Sequence, residues 1–135
     1  MVDFEGLCRT SDVISLHLRL SDQTRGLFDA AQLAMMKPGA ILVNTARGGI
    51  VEERALLDAL SQGRIAGAGL DVFSTEPLPP DHPLTRLANV VLTPHCAGIT
   101  PEALEAGLRM AVENIWQFIR SSGVPTPATS PYSPG

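Results

Sequence analysis

The hydrophobic and polar residues of this chain change spacing several times, and the changes predict strands and helices in turn. Short runs of branched apolar residues indicate strands at residues 13–18, 40–43, 65–72 and 90–93. Asp29, with Gln32 three residues later, forms a capping-box pattern for a short helix, and a second helix is predicted over residues 51–60. Strands that alternate with helices, without repeated hairpins, favour an α/β fold with a doubly wound parallel sheet.

The longest helical pattern begins at Thr100 and Pro101, a hydroxyl N-cap followed by proline at the first helical position. Apolar residues then recur at helical spacing, and Trp116 and Phe118 are interpreted as core or interface residues. Residues 121–135 are rich in proline and serine, so we predict a disordered tail there.

Composition restricts the function classes. The chain has 135 residues, 44% of them hydrophobic and 18% charged, which suits one globular domain. A net charge of -4 leaves no basic surface for nucleic acid or an anionic membrane, and no apolar run is long enough to span one. Without a signal-peptide pattern the expected location is cytoplasmic. Cys8 and Cys96 are interpreted as reduced thiols, and no metal site is expected.

Candidate chemistry follows three of the predicted strands. Arg47 ends the segment GAILVNTAR and precedes two glycines, and Glu76 and His95 also lie just beyond strand-like runs. In open parallel sheets ligands bind at the carboxyl ends of strands, where a guanidinium can hold a carboxylate. Two of these residues have plainer interpretations, a structural turn at Arg47 and a loop carboxylate at Glu76, and a further acidic residue, Asp71, has the plainer interpretation of a turn cap. His17 is interpreted as a packed strand histidine.

Three ordered motifs, NTARGGIVEERAL, GAGLDVFSTEPLPPDHPL and NVVLTPHCAGIT, resemble one family. They are similar to the second half of the nucleotide-binding domain of D-isomer-specific 2-hydroxyacid dehydrogenases. That family includes phosphoglycerate, glyoxylate/hydroxypyruvate and D-lactate dehydrogenases. The resemblance extends from about residue 11 to residue 120, and it implies a Rossmann-type NAD-binding domain.

The resemblance also implies roles for single residues. Arg47 would bind the substrate carboxylate and polarise its carbonyl, His95 would be the general acid/base, and Glu76 would be the partner of that histidine. The substrate would be a small 2-hydroxy or 2-keto acid, the cofactor NAD or NADP, and the parent enzyme a homodimer. The residues expected to line the cofactor are Leu18, Thr45, Ala46, Arg47, Asp71 and the backbone of His95, Cys96, Ala97 and Gly98.

Two departures from the family pattern shape the expectation. Arg19 stands where the family usually has proline, and residues 1–12 contain no glycine-rich phosphate loop. Residues 1–120 are therefore predicted to be a partial dinucleotide-binding domain, inactive by itself. Its first strand would be an open edge through which the fragment self-associates. The alternatives are a non-enzymatic binding module of the C-terminal-binding-protein corepressor type, or an inert remnant.

Overall fold

The structure is a computed structural model that describes residues 2–122, in which helices and strands alternate. The strands are β1 (Val13–Leu16), β2 (Ile41–Asn44), β3 (Gly67–Leu70) and β4 (Val90–Leu92). The helices are α1 (Phe4–Thr10), α2 (Ala30–Met35), α3 (Glu53–Ser61) and α4 (Pro101–Ser121). Two short 3₁₀ helices, Gly48–Ile50 and Pro83–Arg86, lie in the loops.

The strands form one sheet in the order β1-β2-β3-β4, and every neighbouring pair is parallel. Val13 lies opposite Ile41, which in turn lies opposite Gly67. All four carboxyl ends therefore meet at one edge of the sheet, which we call the carboxyl edge. The predicted α/β class with a parallel sheet is confirmed.

One face of the sheet forms the core of the domain. Ile14, Leu42 and Leu70 point to this face and are buried against helices α2 and α3. The alternate positions point to the other face, where Val13, Ile41 and Val91 are exposed. Side chains of successive strand residues point to opposite faces, so burial of only one face produces this alternation. The helical residues of the core include Leu33, Ala55, Leu56, Ala59 and Leu60.

Local signals placed the helix ends well. The Asp29 side chain accepts a hydrogen bond from the Ala31 N–H at 2.7 Å, and the Gln32 side chain accepts one from the Asp29 N–H at 3.3 Å. The predicted capping box is therefore confirmed. Beyond α3, Gly63 adopts φ 65°, which is the left-handed conformation that glycine favours at a helix end.

Several predicted boundaries differ from the observed ones. The strand predicted at 13–18 ends at Leu16, so His17 lies beyond it, exposed, with its Nε2 2.8 Å from the Ser15 hydroxyl. The interpretation of His17 as a packed strand residue is therefore wrong.

Helix α1 was not predicted, because seven residues that include a glycine carry a weak local signal. Tertiary contacts stabilise it: Cys8 is buried, and the Phe4 ring meets Phe28 edge-on at 5.5 Å.

The chain divides into two units, one ending at Ala97 and one beginning at Gly98. In the second unit, the Thr100 hydroxyl accepts a hydrogen bond from the Ala103 N–H at 3.1 Å, which confirms the predicted start of α4. Among residues 98–122 α4 is the only regular element, and the roles of Trp116 and Phe118 stay predictions. Ser121 is the last residue of α4, and the predicted tail beyond Ser122 lies outside the described residues.

No helix within residues 2–122 combines the length and apolar character needed to cross a membrane.

Candidate active site

The predicted site residues of the first unit all follow the carboxyl ends of strands. Leu18 follows β1, Arg47 follows β2, Asp71 follows β3 and His95 follows β4. Because the strands are parallel and in register, these positions lie along the carboxyl edge. The turns after β2, β3 and β4 therefore form the candidate site.

The turn after β2 is held by Asn44, a residue that the sequence did not single out. The residue is 1% exposed, and its side chain accepts a hydrogen bond from the Ala46 N–H at 3.1 Å and donates one to the Arg47 carbonyl at 3.0 Å. Asparagine commonly bonds the backbone two residues on in such turns, and this is the signal that could have identified it. The Arg47 side chain is exposed and donates to the Ala46 carbonyl at 2.6 Å. Within residues 2–122 it forms no ion pair, so most of its N–H groups face solvent.

Gly48 brings the turn after β2 against the loop after β3. A Cβ atom on Gly48 would lie 2.1 Å from the carbonyl carbon and oxygen of Phe73 and 2.7 Å from the Ser74 nitrogen. No side chain fits in that space, so glycine is required for the two backbones to touch. This contact places the loop that carries Glu76 beside the turn that carries Arg47.

The Glu76 carboxylate connects two loops. Its Oε1 accepts a hydrogen bond from the Phe73 N–H at 2.9 Å, and its Oε2 lies 2.7 Å from Nδ1 of His95. The hydrogen bond from His95 lowers the pKa of the Glu76 carboxyl most, followed by the bond from Phe73. Burial opposes this shift, and the positive charges of His95 and Arg47 add to it.

The ionised Glu76 fixes the orientation of the His95 ring. A carboxylate only accepts hydrogen bonds, so Nδ1 of His95 must carry the proton between them. Nε2 is the ring nitrogen that remains for other partners. The two side chains are 35% and 47% exposed, so the pair is open to a small molecule at the carboxyl edge.

The backbone at His95 is unusual. His95 has φ 52°, in the left-handed region that few residues other than glycine adopt, and its N–H donates to the Thr93 carbonyl at 3.1 Å. Such a conformation costs about 1–3 kcal/mol and needs support from its surroundings. Asp71 provides that support. Its carboxylate accepts hydrogen bonds from the Thr93 hydroxyl at 2.5 Å, the Cys96 N–H at 2.8 Å and the Ala97 N–H at 2.9 Å.

Asp71 is thus bound to the protein itself. Its side chain is 3% exposed, and burial by itself would raise the pKa of this carboxyl. The hydrogen bonds from Thr93, Ala97 and Cys96 outweigh burial, with a contribution from the charge of His95, and the pKa falls below its ordinary value. Asp71 was expected to line the cofactor. The structure gives it three partners in the turn after β4, and through these hydrogen bonds it holds that turn.

The remaining predicted residues occupy less constrained positions. Leu18 is 44% exposed, and Thr45 and Ala46 are half-buried in the turn after β2. The N–H groups of Cys96 and Ala97 are used by Asp71. Gly98 is the first residue of the second unit. Within residues 2–122, no three His, Cys, Asp or Glu side chains lie close enough together to hold a metal ion.

A parallel sheet with these polar groups at its carboxyl edge has the architecture of an open α/β nucleotide-binding domain. The sequence comparisons identify its family. The family model described as D-isomer specific 2-hydroxyacid dehydrogenase, NAD binding domain, matches residues 1–97. The match covers more than half of the chain, and the chain belongs to this family.

Similar proteins include enzymes with several substrates. A glyoxylate reductase from Aeropyrum pernix is 50% identical over 121 residues, which are 90% of this chain and 36% of that protein. The solved structure of an acyclic imino acid reductase with NADPH and D-arginine has a TM-score of 0.83 at 40% identity, covering 89% of this chain and 38% of the other. A D-lactate dehydrogenase with NAD+ from Lactobacillus jensenii has a TM-score of 0.77 at 33% identity and covers 83% and 38%. The chain therefore spans little more than a third of the length of these relatives.

Proposed function

We propose that the protein to which this domain belongs transfers a hydride between a nicotinamide cofactor and C2 of a small 2-hydroxy or 2-keto acid. The observation that carries the proposal is the His95–Glu76 pair, which leaves one imidazole nitrogen open, beside a turn that carries an exposed arginine. Reduction of a keto acid needs a proton donor for the C2 oxygen and a cation for the carboxylate. The carboxyl edge offers both.

His95 is the proposed general acid/base. During keto-acid reduction, Nε2 of the imidazolium gives a proton to the C2 oxygen, and during oxidation the same nitrogen removes it. Glu76 keeps the other nitrogen, Nδ1, protonated and holds the ring in one orientation. Imidazole has a reference pKa of about 6.5, which suits proton transfer near neutral pH.

Arg47 is the proposed carboxylate-binding residue. Its guanidinium is planar and carries five N–H donors, so it can hold a carboxylate with two parallel hydrogen bonds. Asn44 and Gly48 fix the backbone on either side, which limits the positions that the guanidinium can reach. Its positive charge would also polarise the keto group next to the bound carboxylate.

The cofactor proposed for this edge is NAD or NADP, and relatives with each are known in structure. When bound, it would supply or accept the hydride. The residues present suit its nicotinamide end: Leu18 offers a half-exposed apolar side chain, and Thr45 and Ala46 are small, half-buried residues of the turn after β2. Asp71 would orient the backbone of Cys96 and Ala97 by accepting hydrogen bonds from their N–H groups, which leaves their carbonyl groups for the cofactor.

A chimera tests the proposal. This chain would replace the corresponding segment of the Aeropyrum pernix glyoxylate reductase, to which it is 50% identical. The reduction of glyoxylate would then be followed by oxidation of NADH and of NADPH. His95→Ala should lower kcat by a factor of about 10²–10⁴, the usual contribution of general acid–base catalysis. Arg47→Ala should chiefly raise KM, with some loss of kcat.

Arg54→Ala is the matched control, because Arg54 is an exposed arginine on α3 without a side-chain hydrogen bond or ion pair among residues 2–122. It should leave both kinetic constants unchanged. Turnover of His95→Ala or Arg47→Ala at the level of the unmodified chimera would remove that residue from the site. The comparison of NADH with NADPH identifies the cofactor that the chimera prefers.

A further inference from the structure

A second carboxylate–imidazole pair involves the loop after β3, which also carries Glu76. Nε2 of His82 is 3.1 Å from Oε1 of Glu53, and their side chains are 16% and 27% exposed. Glu53 is the first residue of α3, whereas His82 precedes the 3₁₀ helix Pro83–Arg86. The two residues are separated by 29 positions, so only the fold brings them together.

The His82 ring is held at both nitrogens. Its Nδ1 accepts a hydrogen bond from the Leu84 N–H at 3.3 Å, so the proton of the neutral ring must lie on Nε2. Nε2–H therefore donates to Glu53. This is the opposite tautomer to that of His95, whose Nδ1–H faces Glu76.

Glu53 also contacts the start of the loop that leads to Glu76. Its second oxygen, Oε2, lies 3.4 Å from the Ser74 nitrogen, which donates to it. Ser74 follows Phe73, whose N–H donates to Glu76. One carboxylate thus binds the loop on both sides of Glu76, at Ser74 before it and at His82 after it.

The loop needs such support because its middle is open to solvent. Residues 74–77 are exposed. Among them, the Glu76 side chain forms hydrogen bonds with both Phe73 and His95. A site side chain held within about 0.5 Å of its working position depends on neighbours that fix its backbone. Gly48 supplies one fixed contact at Phe73 and Ser74, and the Glu53–His82 pair supplies two more, at Ser74 and at His82.

We propose that Glu53 and His82 are positioning residues, which hold the loop after β3 so that Glu76 meets Nδ1 of His95. Their importance for catalysis rests on the proposed function. Their effect on the geometry of the Glu76–His95 pair does not, and the test measures that geometry directly.

The test is the tautomer of each histidine, read from ¹⁵N NMR of the 135-residue chain, which contains three histidines. The spectra are recorded at about pH 8.5, about two pH units above the imidazole reference pKa of about 6.5. His82 should appear as the Nε2–H form and His95 as the Nδ1–H form. In Glu53→Ala, His95 should lose its Nδ1–H signal in favour of the Nε2–H form that free imidazole side chains prefer in water.

Glu52→Ala is the matched control, since Glu52 is the exposed neighbour of Glu53 and its side chain makes no capping bond. It should leave the His95 tautomer unchanged. His82→Ala should act like Glu53→Ala, and His82→Gln should partly restore the Nδ1–H form of His95, because the glutamine amide can donate from nearly the same place as Nε2. This rescue separates loop positioning from a general loss of packing.

An unchanged His95 tautomer in a folded Glu53→Ala or His82→Ala chain would overturn the proposal. If one of these variants does not fold, His82→Gln and the other variant still decide the question. A different result would contradict the proposed function alone. In that case His95→Ala would retain full turnover in the chimera, while the histidine tautomers of the 135-residue chain would still respond as described.

Discussion

Replacing Asp71 with asparagine tests whether this carboxylate supports the turn that carries His95. The carboxylate accepts one hydrogen bond from the Thr93 hydroxyl and one each from the N–H groups of Cys96 and Ala97. Asparagine retains one oxygen and turns an NH₂ group toward a donor. If the oxygen stays with Thr93 and Cys96, the Ala97 N–H loses its acceptor and faces another donor.

The size of the effect follows from these bonds. A hydrogen bond to a charged group contributes about 1.5–3 kcal/mol and a neutral one about 0.5–1.5 kcal/mol. Asp71→Asn loses one hydrogen bond to a charged group and weakens two more. Ala97 is exposed, so water can bond its N–H and restore part of the lost free energy. We therefore expect the free energy of unfolding to fall by about 2–4 kcal/mol. That loss is a large part of the free energy of unfolding of a typical domain, which is about 5–15 kcal/mol.

The assay is urea unfolding at pH 7, with Asp58→Asn as the control. Asp58 is an exposed carboxylate on α3 with no side-chain hydrogen bond among the described residues, so its variant should stay within about 0.5 kcal/mol of the unmodified chain. Amide hydrogen exchange should also accelerate at Cys96 and Ala97 in Asp71→Asn. Equal stability losses in the two variants, with unchanged exchange at these amides, would refute the support assigned to Asp71.

The pH dependence gives a second measurement on the same variant. Because the pKa of Asp71 is lower in the folded chain, its stabilisation is complete above the ordinary value of 3.8 and is lost as the pH falls through the folded value. The unmodified chain should therefore lose more stability than Asp71→Asn between pH 7 and the acid range. Parallel pH profiles would mean that the carboxylate is not held in its charged form.

Three further predictions concern the neighbouring loops and the sheet edge. Gly48→Ala should lower the melting temperature, with a cost of about 1–3 kcal/mol for overpacking against Phe73, whereas Gly39→Ala, which has open space around its Cβ, should be nearly neutral. Glu76→Gln should lose less stability than the unmodified chain when the pH is lowered. The pKa of Glu76 is depressed in the folded chain, so its contribution to stability is present above the ordinary pKa of the carboxyl and is lost at acid pH. Equal shifts of the urea midpoint of both chains between neutral and acid pH would mean that the Glu76–His95 pair is not formed. The 135-residue chain should associate as its concentration rises, because β1 lies at an edge of the described sheet and exposes Val13. The assay is sedimentation over a hundredfold range of protein concentration, and Val13→Lys should associate less than the unmodified chain. A monomer at every concentration would contradict the prediction.

The sequence by itself determined the order of the elements and several of their ends. Asp29 and Gln32 marked the start of α2, Thr100 marked the start of α4, and alternating strand and helix patterns indicated the parallel sheet. These features depend on residues within a few positions of one another, so they are visible in the order of the residues. Parallel strands then required Arg47 and His95 to lie at one edge.

Only the tertiary structure decided which partner each polar group takes. Asp71, interpreted from the sequence as a turn cap or a cofactor contact, binds the turn after β4, more than 20 positions away. Glu53, the first residue of α3, pairs with His82, and the backbone of Phe73 requires glycine at position 48. Hydrogen bonds and close contacts of this kind depend on which loops the sheet brings side by side. No local pattern encodes them, because the residues that meet are joined only by the register of β2, β3 and β4.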